Sequence, residues 1–317
     1  MSKILLLETL AEPAMAILQK TGDVELLTAY DFNIESLDKQ NIEAVITRGK
    51  GQITPEFMDQ LPQLKMVARA GVGLDNVDIN YATQKGIKVL NNPGVNSQTV
   101  AEHAISLMLM LQRNMFQAVS KVKEGNWSWR NEFSGDEIYG KTLGVLGMGT
   151  IGQKVAKIAE AMGMKIIYSD PVKHYLPYTY ASLEDVLKEA DILTLHVPLF
   201  DETRNLINEK TLSLMKKTAL IINTARGPII DEKAVYEALV NQKLGGFAAD
   251  VTNPEPPLEG SPFIGLPNVL ITAHLASLTD RTYHKMCVDA VQNVLALLRN
   301  EEPQEGCIFN KLQLTNA

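Results

Sequence analysis

Residues 141–170 read KTLGVLGMGTIGQKVAKIAEAMGMKIIYSD, from Lys141 to Asp170, and the run of properties along them organises the rest of the chain. Leu143–Leu146 is a short apolar stretch of the kind that a strand buried on both faces requires. Gly147-Met148-Gly149-Thr150-Ile151-Gly152 follows it without a spacer. From Gln153 to Met162 apolar residues return at helical spacing, and Lys165–Ser169 reads as a second strand closed by Asp170. Each part has a physical task in holding a dinucleotide. Gly147 permits a tight turn, Gly149 lets the backbone approach a pyrophosphate, and Gly152 lets helix and strand pack closely. The helix N-terminus then offers unpaired N–H groups to the phosphates. Asp170, 18 residues beyond Gly152, is spaced to accept hydrogen bonds from ribose hydroxyls and to repel a 2′-phosphate, which selects NAD over NADP. A similar turn and acid serve S-adenosylmethionine, so the stretch by itself leaves a methyltransferase open.

Composition narrows the class. At 317 residues the chain has room for about two domains. With 45% hydrophobic and 21% charged residues it has the balance of a globular enzyme rather than a disordered chain. No apolar run is long enough to span a bilayer, and MSKILLLETLAEP lacks the long apolar core and cleavage site of a signal peptide, so a cytoplasmic protein without a membrane partner is expected. Cys287 and Cys307 are too few for a disulfide framework and stand apart from any metal-spaced cluster, so no metal is expected. The net charge of −7 and the lack of a basic block disfavour nucleic acid. An anionic substrate would be held by a few local arginines.

Strand signals alternate with helical stretches from the start: Ile4–Leu7, Val24–Leu27, Ala44–Thr47, Lys65–Arg69 and Ile87–Leu90 predict a small flavodoxin-like parallel sheet. Ligands bind such sheets at the carboxyl ends of the strands, which here carry Arg48, then Gly71-Val72-Gly73, then the segment ending at Asn96. Arg48 suits a carboxylate, and the glycines could either expose N–H groups to an anion or simply make a turn. Thr99–Met115 predicts one long buried helix with Thr99 as its cap, and His103 on it reads as a packed histidine. The polar stretch Lys121–Tyr139, with Trp127 and Trp129, reads as a loop suited to an oligomer interface or to covering the core. Asp191–Val197, Ala219–Asn223, Phe247–Val251 and Val269–Thr272 bring the second sheet to six strands. A helix over about Asp280–Arg299 follows, and the tail Glu301–Asn310 is free to return to the first sheet. The fold class is thus α/β with two domains: a Rossmann-type doubly wound NAD-binding domain, 98–285, inserted in a flavodoxin-like substrate domain, 1–97 and 286–317.

Three polar groups fall at or just beyond the carboxyl ends of the later strands, where a nicotinamide would lie: Arg226, Glu255 and His274. Oxidising a 2-hydroxy acid needs a base for the hydroxyl proton and a cation for the carboxylate. His274 and Arg226 supply them, and a carboxylate beside the imidazole, Glu255, orients the ring. Singly, each could be a surface ion pair, a solvated loop acid or a satisfied strand-end histidine. Three on successive strand ends point to chemistry.

Arg48, ARAGVGLDNVD (68–78), NNPGVNSQTVAE (91–102), GKTLGVLGMGTIG (140–152), LHVPL (195–199), NTARGPIIDE (223–232), AADVTNPEPP (248–257) and NVLITAHLAS (268–277) together resemble the D-isomer-specific 2-hydroxyacid dehydrogenases across nearly the whole chain. Within the family the likeness is strongest to the branch acting on 3-phosphoglycerate. The resemblance implies Arg226, Glu255 and His274 as catalytic residues. For NAD it implies Thr150 and Ile151 at the pyrophosphate, Asp170 at the ribose, Val197 and Pro198 beside the adenosine, and His196 and Thr203 among the other cofactor contacts. Thr224, Ala225 and Arg226 would lie near the nicotinamide, Asp250 on its carboxamide, and His274, Ala276 and Ser277 close by. It implies the backbone of Gly71, Val72 and Gly73 at the substrate carboxylate, with Arg48, Asn96, Arg226 and His274 around it. It also implies a homodimer or dimer-based oligomer on the 99–115 helix and the tryptophan arm, and no regulatory domain is expected past Ala317. Gly49 departs from the serine usual after Arg48 in the phosphoglycerate branch, and Val251-Thr252-Asn253 from a common Val-Phe-x. Glu255 argues against formate dehydrogenases, which share the fold but lack this acid. The alternatives are a glyoxylate or hydroxypyruvate reductase and, from another class, a non-enzymatic NAD-sensing corepressor-like protein.

Overall fold

In the computed structural model, residues 1–257 and 260–314 are described, and the chain forms two compact units, Met1–Asn96 with Leu278–Ala317, and Ser97–Ser277. The first unit is built on β1 (Ser2–Leu6), β2 (Val24–Thr28), β3 (Ile42–Thr47), β4 (Met66–Arg69) and β5 (Lys88–Leu90). All neighbours are parallel, in the order β2-β1-β3-β4-β5. Alternate residues serve opposite faces. Ile4, Leu6, Ala44 and Ile46 pack with Ala290, Val291 and Val294 of the Asp280–Leu298 helix. Leu5, Leu7, Ile42 and Val45 pack on the other side with Phe57, Met58 and Ala82. With both faces covered, the inner strands lose polar alternation and run apolar over Ile4–Leu6, Ala44–Ile46 and Met66–Ala68, while the edge strand β2 keeps Glu25 and Thr28 exposed.

The tail pairs with the edge of this sheet. Phe309 N donates to Val89 O at 2.8 Å and Asn91 N to Cys307 O at 3.0 Å. Asn310, fully buried, accepts from Val89 N and donates to Ile87 O and Thr83 Oγ1, each at 2.9 Å. The chain crosses between units at 96/97 and 277/278 rather than at 97/98 and 285/286. The second difference has a plain cause: Asp280–Leu298 is one unbroken helix, capped by Thr279 accepting from Thr282 N, and residue 285 lies inside it.

The second unit opens with the Ser97–Gln112 helix, which buries Ala101, Ala104, Ile105 and Met108 against Val155, Ala156 and Ala159. It starts ahead of Thr99, so Thr99 is not its cap. It ends before Met115 because Asn114 adopts φ 47°, a left-handed conformation that asparagine tolerates better than most residues. A separate helix, Met115–Lys123, follows, and Trp127–Asn131 is a 3₁₀ turn capped by Asn126, not open loop. The sheet consists of β6 (Thr142–Leu146), β7 (Lys165–Ser169), β8 (Thr179–Tyr180), β9 (Ile192–Leu195), β10 (Leu220–Asn223), β11 (Gly246–Ala249) and β12 (Val269–Ile271). It is parallel, ordered β12-β11-β10-β9-β6-β7-β8. The seventh strand, β8, is a two-residue edge, too short to leave a periodic signal. Strand order reverses between β6 and β9, the position where doubly wound sheets bind ligands.

Candidate active site

The glycine turn sits at that reversal. Gly147 has φ +89°, and a Cβ there would stand 2.7 Å from the carbonyl carbon and oxygen of His196, at the end of β9. A Cβ on Gly152 would fall 2.1 Å from Gly147 O. These two glycines are demanded by the protein's own packing. Gly149 is different: a Cβ there meets nothing within 4 Å. It is the N-cap of the Thr150–Ala161 helix and brings no side chain to cap it, so the first-turn N–H groups at Thr150 and Ile151 are left to an external anion. Gln153, expected to start this helix, lies one turn inside it.

Asp170 follows β7. Its Oδ2 accepts from Met148 N at 2.7 Å and its Oδ1 from Val172 N at 2.9 Å, which ties the acid to the glycine turn and leaves lone pairs for further donors. His196 donates its backbone N–H to Leu146 O at 2.8 Å, and its Nε2 lies 2.9 Å from Thr194 Oγ1. Desolvation lowers the ring's pKa to about 3, so it stays neutral. Val197 packs on the core, and Thr203 Oγ1 donates to Pro198 O at 2.7 Å, closing the turn after β9. Thr224 Oγ1 is buried with no hydrogen-bond partner among the described residues. The open space at Gly149, the uncapped helix and this orphaned hydroxyl fit a nucleotide cofactor.

Arg226 and Glu255 are brought together by backbone contact. Asn223 directs the loop after β10: its Nδ2 donates to Arg226 O at 3.0 Å, and its Oδ1 accepts from Ala225 N at 3.0 Å. A Cβ on Gly227 would lie 2.1 Å from Thr252 O. Only glycine lets the arginine loop lie on the Thr252 backbone. Thr252 N then donates to Glu255 Oε1 at 3.1 Å, and Glu255 Oε2 stands 2.7 Å from His274 Nδ1. Burial pushes the Glu255 carboxyl up. The hydrogen bond and charge of His274, the Thr252 amide and the Arg226 charge outweigh it and hold the group below its ordinary 4.5. With Nδ1 engaged, Nε2 is the nitrogen left to a substrate.

His274 itself has φ 50°, a conformation uncommon outside glycine and one that needs support. Asp250, 2% exposed, provides it. Its Oδ1 accepts from Leu275 N at 2.9 Å and Thr272 Oγ1 at 2.5 Å, its Oδ2 from Ala276 N at 2.8 Å, and its carbonyl from His274 N at 2.8 Å. Both carboxylate oxygens therefore hold the 272–276 segment, and Ser277 is the last residue of the unit. His103 is more than packed: its Nε2 lies 3.0 Å from Thr272 Oγ1 and 3.5 Å from Asp250 Oδ1. Asn223 and His103 are the site residues that periodicity misses, since their roles come from loops and strands that the period does not describe.

The remaining substrate candidates lie in the first unit, at the carboxyl ends of β3, β4 and β5. Arg48 Nη1 donates to Tyr283 Oη at 3.0 Å. Gly71 is not an anion donor: its N–H goes to Asn92 Oδ1 at 3.0 Å and Arg69 O at 2.8 Å. It makes the turn that carries Val72 and Gly73. Asn91 Nδ2 and Arg69 Nη1 hold the carbonyls of Val72 and Gly73 respectively. Asn96 closes the segment as the unit's last residue before the crossing.

Comparison with known proteins places this geometry. The model of the "D-isomer specific 2-hydroxyacid dehydrogenase, NAD binding domain" matches residues 105–276. D-3-phosphoglycerate dehydrogenase of Methanocaldococcus jannaschii is 41% identical over 95% of this chain, which spans 58% of that relative's length. Hydroxypyruvate reductase of Thermotoga maritima is 41% identical over 80% of this chain and 84% of its own. The crystal structure of the TT0316 protein from Thermus thermophilus superposes with a TM-score of 0.88 at 37% identity, covering 95% of this chain and 98% of its own. The match removes the methyltransferase alternative. The matched domain is one that binds a nicotinamide cofactor, and the chain belongs to the D-isomer-specific 2-hydroxyacid dehydrogenases.

Proposed function

We propose that the protein is an NAD-dependent oxidoreductase that interconverts a small D-2-hydroxy acid and its 2-keto acid, with 3-phosphoglycerate as the first substrate reading. The observation that carries the chemistry is the 2.7 Å contact between Glu255 and His274 within reach of the Arg226 charge. When bound, the nicotinamide accepts the hydride in oxidation and donates it in reduction. His274 takes the hydroxyl proton at Nε2 as C2 loses its hydride, and returns it to the keto oxygen in the reverse direction. Glu255 fixes the ring through Nδ1. Arg226 holds the carboxylate and polarises the carbonyl. Asp170 favours NAD because a 2′-phosphate would meet a carboxylate already pinned in place.

The M. jannaschii relative, matched over 95% of this chain, supports the phosphorylated substrate. The T. maritima relative, matched over 84% of its own length, supports hydroxypyruvate as the second reading, and relatives named glyoxylate reductase add glyoxylate to it. Assay of 3-phosphohydroxypyruvate against hydroxypyruvate and glyoxylate, with NADH, decides between them. Absence of turnover with all three would leave the NAD-sensing alternative. A dimer is part of the proposal: no residue of the Met115–Lys123 helix is fully buried, Phe116 packs only partly on the core, and Val119, Val122 and Trp127 are 50%, 54% and 69% exposed.

His274→Gln is expected to lower kcat by roughly two to four decades, the worth of a general acid–base group, with NADH affinity retained; an unchanged kcat removes His274 from the proton transfer. In Glu255→Gln the titrating carboxylate is gone and the imidazole loses the acceptor at its Nδ1, so kcat falls and the acidic limb that Glu255 sets below 4.5 disappears from the pH–rate profile. Because Glu255 is held below 4.5 in the folded protein, the stability that the dyad contact contributes is complete above that pH and lost as pH falls through the lowered value. A profile identical to wild type in both respects would exclude Glu255 from the dyad. Asp170→Ala should shift the NADH-to-NADPH preference about tenfold or more toward NADPH, the order expected for one charge contact; an unaltered ratio in steady-state kinetics would place the discrimination elsewhere. Val119→Glu combined with Val122→Glu should convert a dimer to a monomer in sedimentation velocity, and a dimer that persists would acquit this face.

A further inference from the structure

The sheet of the first unit, ordered β2-β1-β3-β4-β5, reverses direction between β1 and β3, so the residues just past those strands flank a ligand-binding switch point. The register that pairs Leu6 with Ile46 carries Glu8 to the side of Arg48. Glu8 is 8% exposed and takes no part in the proton or hydride transfer. Its Oε2 accepts from Thr47 Oγ1 at 2.8 Å and from three successive backbone amides, Arg48 at 2.6 Å, Gly49 at 2.9 Å and Lys50 at 2.9 Å. Its Oε1 lies 3.4 Å from Arg48 Nε, an ion-pair distance without hydrogen-bond alignment. The far end of the same guanidinium donates to Tyr283 Oη at 3.0 Å, and its carbon stands 5.3 Å from the centre of the Tyr283 ring.

A buried carboxylate is unfavourable unless its lone pairs are filled by donors and a cation. Here they are. Burial raises the Glu8 pKa, and the Lys50 and Arg48 amides, the Thr47 hydroxyl and the Arg48 charge together bring it below the ordinary 4.5. The convergence of three amides on one oxygen needs an unusual backbone: Gly49 has φ +134°, and a Cβ there would stand 2.8 Å from Arg69 Nη2. Arg69 in turn donates from Nε to Arg48 O at 3.1 Å and from Nη1 to Gly73 O. One guanidinium thus links the Arg48 loop to the Val72–Gly73 turn.

We infer that Glu8 is the positioning residue of the substrate loop: its carboxylate gathers the backbone of residues 47–50 and aims the Arg48 guanidinium at the anionic end of the substrate. Without that carboxylate the Arg48 and Lys50 amides lose their acceptor and Gly49 N keeps only Thr47 Oγ1, at 3.1 Å; the loop opens, and Arg48 loses the anchor at its Nε end while Tyr283 holds only the other. The inference rests on the reading that Arg48 binds substrate, and the test separates the two. Steady-state kinetics with NADH and the best keto acid are measured for Glu8→Gln, Glu8→Asp, Arg48→Gln and the Glu8→Gln/Arg48→Gln double variant, with circular dichroism checking each fold. Glu8→Gln should raise KM for the keto acid roughly ten- to hundredfold, as expected for a binding group misplaced by about an ångström, with the larger share of the change in KM rather than kcat and NADH affinity retained. Glu8→Asp, which keeps the charge, should recover part of the loss. In the Arg48→Gln background the Glu8→Gln effect should disappear, because both changes then act through one guanidinium. If Arg48→Gln itself leaves KM unchanged, the substrate role of Arg48 fails. If Arg48→Gln raises KM while a folded Glu8→Gln keeps the wild-type value, or if the two effects simply add, the inference about Glu8 is overturned alone.

Discussion

A side chain at residue 152 would put its Cβ 2.1 Å from the carbonyl oxygen of Gly147, and most of what the second unit does depends on the absence of that atom. The turn can close only as tightly as two glycines allow. Once closed, it sets the Thr150–Ala161 helix with its uncapped end at the break in strand order, and its Met148 amide reaches Asp170 at 2.7 Å. The same device recurs beside Arg226. Gly227 admits the Thr252 carbonyl where any Cβ would exclude it, and the contact brings the loop after β10 against the loop that carries Glu255. Close backbone packing, rather than side-chain attraction, decides where the polar groups stand.

Carboxylates then act differently according to what surrounds them. Asp170 and Glu255 are partly open and keep lone pairs for a ligand or a partner ring. Asp250 and Glu8 are buried: both oxygens of Asp250 are filled by backbone amides and a hydroxyl, and Oε2 of Glu8 by three amides and a hydroxyl, with Arg48 beside Oε1. A buried acid so satisfied is a local brace. Asp250 holds the strained backbone that presents His274, and Glu8 gathers the loop that presents Arg48. In each unit the brace lies one strand away from the residue it serves, so neither can be recognised from spacing along the chain.

Much of the fold is legible in sequence because parallel strands covered on both faces are uniformly apolar, and helices between them keep their 3.6-residue period. The longer strands of both sheets follow from that rule. Where it lapses, so does the reading. β8 has two residues and no pattern. The long helix expected over 99–115 is two helices because one asparagine turns left-handed, which depends on what the flanking segments pack against. A boundary at 285/286 cuts through a helix whose amphipathic pattern says that it is a helix but not which sheet it covers. Gly71 resembles an anion-binding glycine, yet its amide is taken by Asn92, twenty-one residues away.

Residue type and local spacing point to most of the order of elements, the glycine turn, the acid that ends the second strand, and Arg226, Glu255 and His274 as the candidates for the chemistry. Those properties are present in any conformation of the chain. Folding adds that Glu255 meets Nδ1 of His274, that Asp250 holds the 272–276 backbone with His103 beside it, and that Glu8 gathers the backbone around Arg48. Such contacts depend on register between strands distant in sequence and on which lone pairs are already filled, and hydrogen bonds of that kind exist only once the sheets have formed.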